Sequence, residues 1–197
     1  MNLRELKENL YDITRTYFGN MPDDGVVWAD GNAAKPTLPF VMLKTGPLTP
    51  SGNSIQGPND TRLYVMKTVW EVDLYTPGAE RGGEDGDAPA RENTAVNDLL
   101  DFVNFLRSDY ATDLAESLNI TISLMGSVTD VTALLNEIGQ EFRAMAEFQV
   151  TFIQAAGGYA GVSTPGWKPT SSGGGTEDLA AKETGYFEKV VIKEESL

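Results

Sequence analysis

The stretch Arg62–Tyr75 (RLYVMKTVWEVDLY) keeps an alternating pattern along its length, with Tyr64, Met66, Trp70, Val72 and Leu74 on one face and Lys67, Glu71 and Asp73 on the other. A period of two belongs to a β-strand with one face buried. At a rise of about 3.3 Å per residue such a strand exceeds ~40 Å, against a usual strand length of ~5–6 residues. A chain carrying it must build a sheet and must supply cover for one face of it. Glu141–Ile153 repeats the demand: Phe142, Ala144, Ala146, Phe148, Val150 and Phe152 share one face, while Glu141, Arg143, Glu147, Gln149 and Thr151 share the other. Its Ala, Met and Glu prefer helix, but by only about 0.7 kcal/mol per residue at most, and unbroken alternation outweighs that.

Further strands are predicted at Val26–Trp28, bounded by Gly25 and Gly31, at Leu38–Thr45, and at Leu118–Leu124, where Leu118, Ile120, Ile122 and Leu124 alternate with polar residues. Pro36 and Pro39 place the start of Leu38–Thr45 at a sheet edge or bulge. With Arg62–Tyr75 this strand forms a hairpin whose tip extends beyond the domain. Ser51–Asp60 and Thr76–Glu92 read as hydrophilic loops. Two stretches follow a 3.6-residue period instead. Leu3, Leu6, Leu10, Ile13 and Tyr17 define a helix over Asn2–Tyr17, capped by Asn2 with Glu5 three residues on and stopped at Gly19. Val96, Leu99, Leu100, Val103 and Leu106 define another over Asn93–Arg107, with Asn93 or Thr94 as cap.

Beyond Ala156 the composition changes. Of the twenty residues Gly157–Thr176, fifteen are Gly, Pro, Ser or Thr, which cannot build a core. Gly185–Lys193 (GYFEKVVIK) is aromatic and β-branched again. The domain reading is therefore a folded domain over residues 1–156, a linker over 157–184 and a C-terminal arm over 185–197. An isolated strand is unstable, so the arm must pair with a sheet edge in its own subunit or a neighbour's. Tyr186, Phe187, Val190, Val191 and Ile192 are its expected subunit contacts.

Chemistry is narrowed by what the chain lacks. There is no cysteine and no histidine, which removes disulfides, thiolate and imidazole metal sites, and every His-dependent triad. Glu80, Glu84, Asp85 and Asp87 cluster beside Gly82, Gly83 and Gly86, but without EF-hand spacing, so they read as a solvated loop rather than a calcium site. Asp73, Glu71 and Glu147 could form a glycosidase-like carboxylate pair. Among 29 acidic residues some pair always meets that spacing, so they read as an outward charged face. The glycines of Gly157–Gly158 and Gly173–Gly175 lie outside any phosphate-loop pattern. Trp70 belongs to the core, and Trp28 and Trp167 do not make a sugar platform; Trp167 reads as an anchor against a surface. No catalytic constellation, cofactor site or metal site is expected. The balance of 15 basic against 29 acidic residues, a net charge of −14, is the wrong sign for a free-standing DNA binder. Met1–Tyr17 carries charges where a secretory signal would be apolar, and no run of ~18 apolar residues occurs that would span a membrane.

The order of pieces LPFVMLKTGPL (Leu38–Leu48), VWEVDLYTPG (Val69–Gly78), NDLLDFVNFLRS (Asn97–Ser108) and EFRAMAEFQVTF (Glu141–Phe152), behind an N-terminal helix, resembles the neck or tail-terminator proteins of tailed bacteriophages. The resemblance covers Asn2–Phe152. It implies a small subunit of a homo-oligomeric, six-fold ring in the virion, assembled in the host cytoplasm. That ring caps the tail tube and joins it to the head connector. An acidic surface suits a channel through which genomic DNA passes without specific binding. The expected fold is α+β: a mostly antiparallel sheet of about four strands with two helices on one face, followed by the linker and arm. A different minor tail or head-completion protein is the alternative role, and a carboxylate-based hydrolase a more distant one.

Overall fold

In a computed structural model, which describes residues 1–22, 24–31, 35–57, 62–81, 90–132 and 141–156, the long alternating stretch is one continuous strand. In chain order the elements are α1 (Leu3–Tyr17), β1 (Val26–Trp28), β2 (Phe40–Thr45), β3 (Thr49–Pro50), β4 (Ile55–Gln56), β5 (Arg62–Thr76), β6 (Ala79–Arg81), β7 (Ala90–Glu92), α2 (Ala95–Leu106), α3 (Asp109–Ser117), β8 (Ile120–Leu124), β9 (Thr129–Asp130) and β10 (Phe142–Ala156). They fall into two compact units. One comprises Met1–Pro50 and Met66–Phe152; the other contains, among the described residues, 51–57, 62–65 and 153–156.

The first unit is α+β. Its principal strands lie in the order β1-β2-β5-β10-β8, with β9 on β10 and β3 on β5. β2 runs antiparallel to β5 with Phe40 opposite Tyr75 and Lys44 opposite Glu71. β10 runs antiparallel to β8, with Phe148 opposite Leu124 and Phe152 opposite Ile120. β1 is parallel to β2, so the sheet is mixed.

The two periodic stretches and the two predicted helices meet in a single core. Trp70, Val72 and Leu74 of β5 and Ala144, Ala146, Phe148 and Val150 of β10 face Leu6 and Leu10 of α1 and Leu99, Phe102 and Val103 of α2. At its centre the Trp70 ring lies 5.2 Å from that of Phe148 and 6.1 Å from that of Phe102. Asn2 caps α1 as its sequence implies: its side chain accepts from the Glu5 amide while the Glu5 carboxylate accepts from the Asn2 amide. Gly78 turns the chain out of β5 at φ +73°, where a Cβ would fall 2.4 Å from the Glu92 carbonyl and 2.6 Å from the Phe142 ring.

Several expectations are corrected. The sheet has more than four strands and the chain has three described helices, not two. α3 carries only Ala111 and Ala115 inward, too small a stripe to stand out in the sequence. Thr76–Glu92 is not simply a loop, since β6 and β7 pair antiparallel within it. Ser51–Asp60 likewise contains β4. In the second unit β4 runs antiparallel to the start of β5, with Ile55 opposite Leu63, and the Ser51 amide donates to the Val65 carbonyl at 2.7 Å. β2 begins only after Pro39, and it is flanked by β1 and β5 rather than lying at an edge. Leu118 caps α3 instead of entering β8. On α2, Leu100 is 43% exposed and Phe102 takes its place in the core. Asn93 contributes to the start of α2 by accepting from the Ala95 amide, while Thr94 donates to the Asp98 carboxylate.

Candidate assembly surface

With the helices covering one face of the sheet, the other face carries Phe40, Met42 and Lys44 of β2, Glu71, Asp73 and Tyr75 of β5, and Arg143 of β10. The alternation of each strand sends these side chains to one side, and the antiparallel register brings Lys44 opposite Glu71 and Met42 opposite Asp73. Asp73 is the hub. Its side chain is fully buried, and Arg143 grips it with two nitrogens, Nη2 to Oδ2 at 2.8 Å and Nε to Oδ1 at 3.2 Å. Lys44 Nζ reaches the same Oδ2 at 3.2 Å and also bonds Glu71 Oε1. Three strands are thereby tied through one carboxylate.

An aromatic layer continues the cluster. The Arg143 guanidinium sits 5.1 Å from the Tyr75 ring centroid, and Tyr75 stacks on Phe40 at 4.3 Å with a 9° interplanar angle. Lys35 Nζ lies 5.7 Å from both rings and bonds the Glu141 carboxylate at 2.6 Å. Such contacts strengthen as water is excluded.

The two carboxylates titrate in opposite directions. Burial pushes Asp73 above the ordinary aspartate range, although Arg143 and Lys44 pull it back. Burial also opposes ionisation of Glu71, but hydrogen bonds from Lys44 and Asp73 and the charges of Lys44 and Arg143 together outweigh it and hold Glu71 below its ordinary value. Lys44 is raised: burial works against its charge, and its bonds to Glu71 and Asp73 overcome that. A pair of acids pushed apart in this way is a pattern found in acid–base catalysis. Here Asp73 has no exposed side-chain surface and both its oxygens are held by cations, so a substrate cannot reach it. The arrangement is a clamp.

The structure thus corrects the reading of Asp73 as part of a solvated face, while Glu71 and Glu147 do lie on the same side of the sheet. Trp70 is core, as its face implies. Trp28 is half-buried beneath Lys7, whose Nζ lies 4.9 Å from its ring and pairs with Asp30. Glu80 is exposed on β6. Glu84, Asp85 and Asp87, Trp167, and the arm residues Tyr186, Phe187, Val190, Val191 and Ile192 lie outside the described residues. Among the described residues, no group of His, Cys, Asp and Glu is placed to hold a metal ion, and no helix is long and apolar enough to cross a membrane. Arg143 carries a signal the sequence already held: a cation on the polar side of one long strand, matching an acid on the polar side of another. Only the strand order makes them neighbours.

Hollows mark the surface formed by the described residues of the first unit. A groove of about 780 Å³ runs between α1 and β1, lined by Leu3, Lys7, Tyr11 and Trp28 among others. A smaller one of about 250 Å³ lies between α1 and α2 at Tyr17 and Asp101. Another, of about 290 Å³, lies where α2 meets β8. The family model described as phage neck terminator protein matches residues 6–165, more than half of the chain. No curated protein matches it.

Proposed function

We infer the role from the family: the chain belongs to the phage neck terminator proteins, structural components of the virion. We propose that copies of it close into a ring, six-fold in symmetry, that caps the tail tube and joins it to the head-side connector, with the genome passing through. The match over residues 6–165 carries this reading. The clamp on Asp73 supports it, because a ring subunit under load profits from strands that cannot slide past one another. The net charge of −14 also supports it, since an acidic lumen lets phosphates pass without holding them. Assembly takes place in the host cytoplasm, and the partners are the proteins above and below the ring.

Light scattering on the purified protein tests the first part. The expected result is a concentration-dependent shift to a large multiple of the subunit mass; a monomer at every concentration rejects the ring. Gold labelling of a tagged copy in intact particles tests the second. Label at the head–tail junction agrees with the proposal, whereas label at the distal tail or inside the head assigns the chain to another virion component.

A further inference from the structure

We propose that the open edge of β8 receives the C-terminal segment Gly185–Lys193 of a neighbouring copy, which adds there as a strand; this rests on the ring reading above. Among the described residues β8 ends the row β1-β2-β5-β10-β8, paired on one side by β10. The Met125 amide donates to the Glu147 carbonyl at 2.7 Å, which extends the β8–β10 register by one residue. In an antiparallel ladder, residues that bond the neighbouring strand alternate with residues that bond away from it. Met125, Ser123 and Thr121 therefore turn their backbone groups toward β10. Ile120, Ile122 and Leu124 turn theirs to the open side. Such an edge is a template for a further strand.

The surface beside that edge mixes apolar and polar groups. The hollow of about 290 Å³ is lined by Val103 and Leu106 of α2, its C-cap Arg107, Ile122, Ser123 and Leu124 of β8, and Phe148. Ile122 and Leu124 are only half-buried, and Arg107 is exposed. The arm matches this in chemistry. As a strand, Gly185–Lys193 puts Tyr186, Glu188, Val190 and Ile192 on one face. That face would lay three apolar side chains along the hollow and set Glu188 against its one cation, Arg107.

Chain length favours a neighbour over the same subunit. From β10, the far side of β8 is two strand spacings away, about 10 Å. Residues 157–184, rich in Gly and Ser, separate the end of β10 from the arm in the sequence, and a Gly- and Ser-rich segment of ~28 residues reaches roughly 30 Å. A return within the subunit needs far less chain than this, whereas crossing to an adjacent copy uses it.

The absence of native cysteine makes the test direct. Thr121 and Ser123 are exposed, and as a strand the arm would carry Lys189 and Val191 on the corresponding side. Full-length chains with Thr121→Cys or Ser123→Cys are co-expressed with a differently tagged chain carrying Lys189→Cys or Val191→Cys, then mildly oxidised. The expected result is a disulfide between the two tags for at least one pairing, in protein with wild-type circular dichroism. Adding Arg107→Glu should lower the yield several-fold, and adding Glu188→Arg as well should restore it. A second set of chains carries both cysteines of a pairing in one molecule; a disulfide that forms there within single chains, with none between the two tags in the first set, overturns the proposal in favour of return to the same subunit. No disulfide from any pairing, with light scattering still showing the large multiple, overturns the β8 edge and leaves the ring standing. A monomeric mass overturns both.

Discussion

A carboxylate stripped of water is tolerable only while its charge is answered, and at Asp73 the answer comes chiefly from Arg143. Its two-pronged contact is the geometry in which a guanidinium does most for a carboxylate. Removing one partner of a buried pair typically costs ~3–5 kcal/mol, because the other charge is left without compensation. Arg143→Met is therefore expected to destabilise the fold by about that amount near neutral pH, with Lys44 left as the only cation within bonding distance of Asp73 among the described residues. The loss should depend on pH with a definite sign. Asp73 already titrates above the ordinary aspartate range in the folded protein, and losing Arg143 moves it higher. The folded variant then takes up a proton at a pH where the unfolded chain does not, so its stability falls as pH rises through the raised value and recovers as pH falls. The lowered Glu71 runs the other way, losing its contribution as pH falls, but it does so in wild type as well. Urea melts at pH ~5 and ~7.5 should show the gap between variant and wild type widening toward the higher pH. A constant gap would mean that Arg143 acts by packing alone. The sequence places Asp73 on the polar side of its strand, and that much is right. Periodicity reveals which side a residue takes; it does not reveal whether neighbouring strands will roof that side over.

Two adjacent leucines of α2 separate the core from its margin. Each helical residue turns about 100°, so Leu100 lies roughly that far around from Leu99, while Val103 lies about 40° away and Phe102 about 60°. The buried stripe is centred near Leu99, and Leu100 is 43% exposed at its rim. Leu99→Ala is expected to cost ~2–5 kcal/mol. Leu100→Ala should cost about 0.5 kcal/mol. Denaturant melts with unchanged slopes decide the matter, and equal losses would displace the stripe. The same geometry explains what the sequence conveyed at this scale. β5, β10, β8 and α1 were legible because a face repeats over several residues, and Asn2 with Glu5 announces the start of α1. β3, β4, β6, β7 and β9 are two or three residues long, too short for any repeat; β3, β4 and β9 exist because a long neighbour offers them an edge, and β6 and β7 because they pair with each other. α3 hides because its inward residues are alanines. The parallel pairing of β1 with β2 is a property of the partner, not of Val26–Trp28, and so is the meeting of Arg143 with Asp73.

At the scale of the molecule, the position of the core along the chain sets what can be removed. Every described residue of the hydrophobic cluster, from Leu6 to Phe152, precedes the Gly- and Ser-rich stretch, and so do α1 and α2, which cover the sheet. Deleting Gly185–Leu197 removes no member of that cluster and none of the clamp residues Lys44, Glu71, Asp73 and Arg143. It does remove the apolar side chains of Tyr186, Phe187, Val190, Val191 and Ile192, which would otherwise bury surface on a partner. Folding and assembly should therefore separate in this variant. Below the concentration at which the full-length protein assembles, where association lends no stability by mass action, the truncated chain is expected to show the same far-UV circular dichroism. Its melting temperature there should fall within ~2 °C of wild type, because a change of ~1 kcal/mol would already move a domain of this size by about that much or more. Above that concentration its light-scattering mass should lag behind the full-length protein's, with assembly needing at least several-fold more protein. A truncated chain that melts far lower as a monomer would place the arm in its own subunit's core, and one that assembles as readily as wild type would mean the ring is held by the surfaces of the first unit alone.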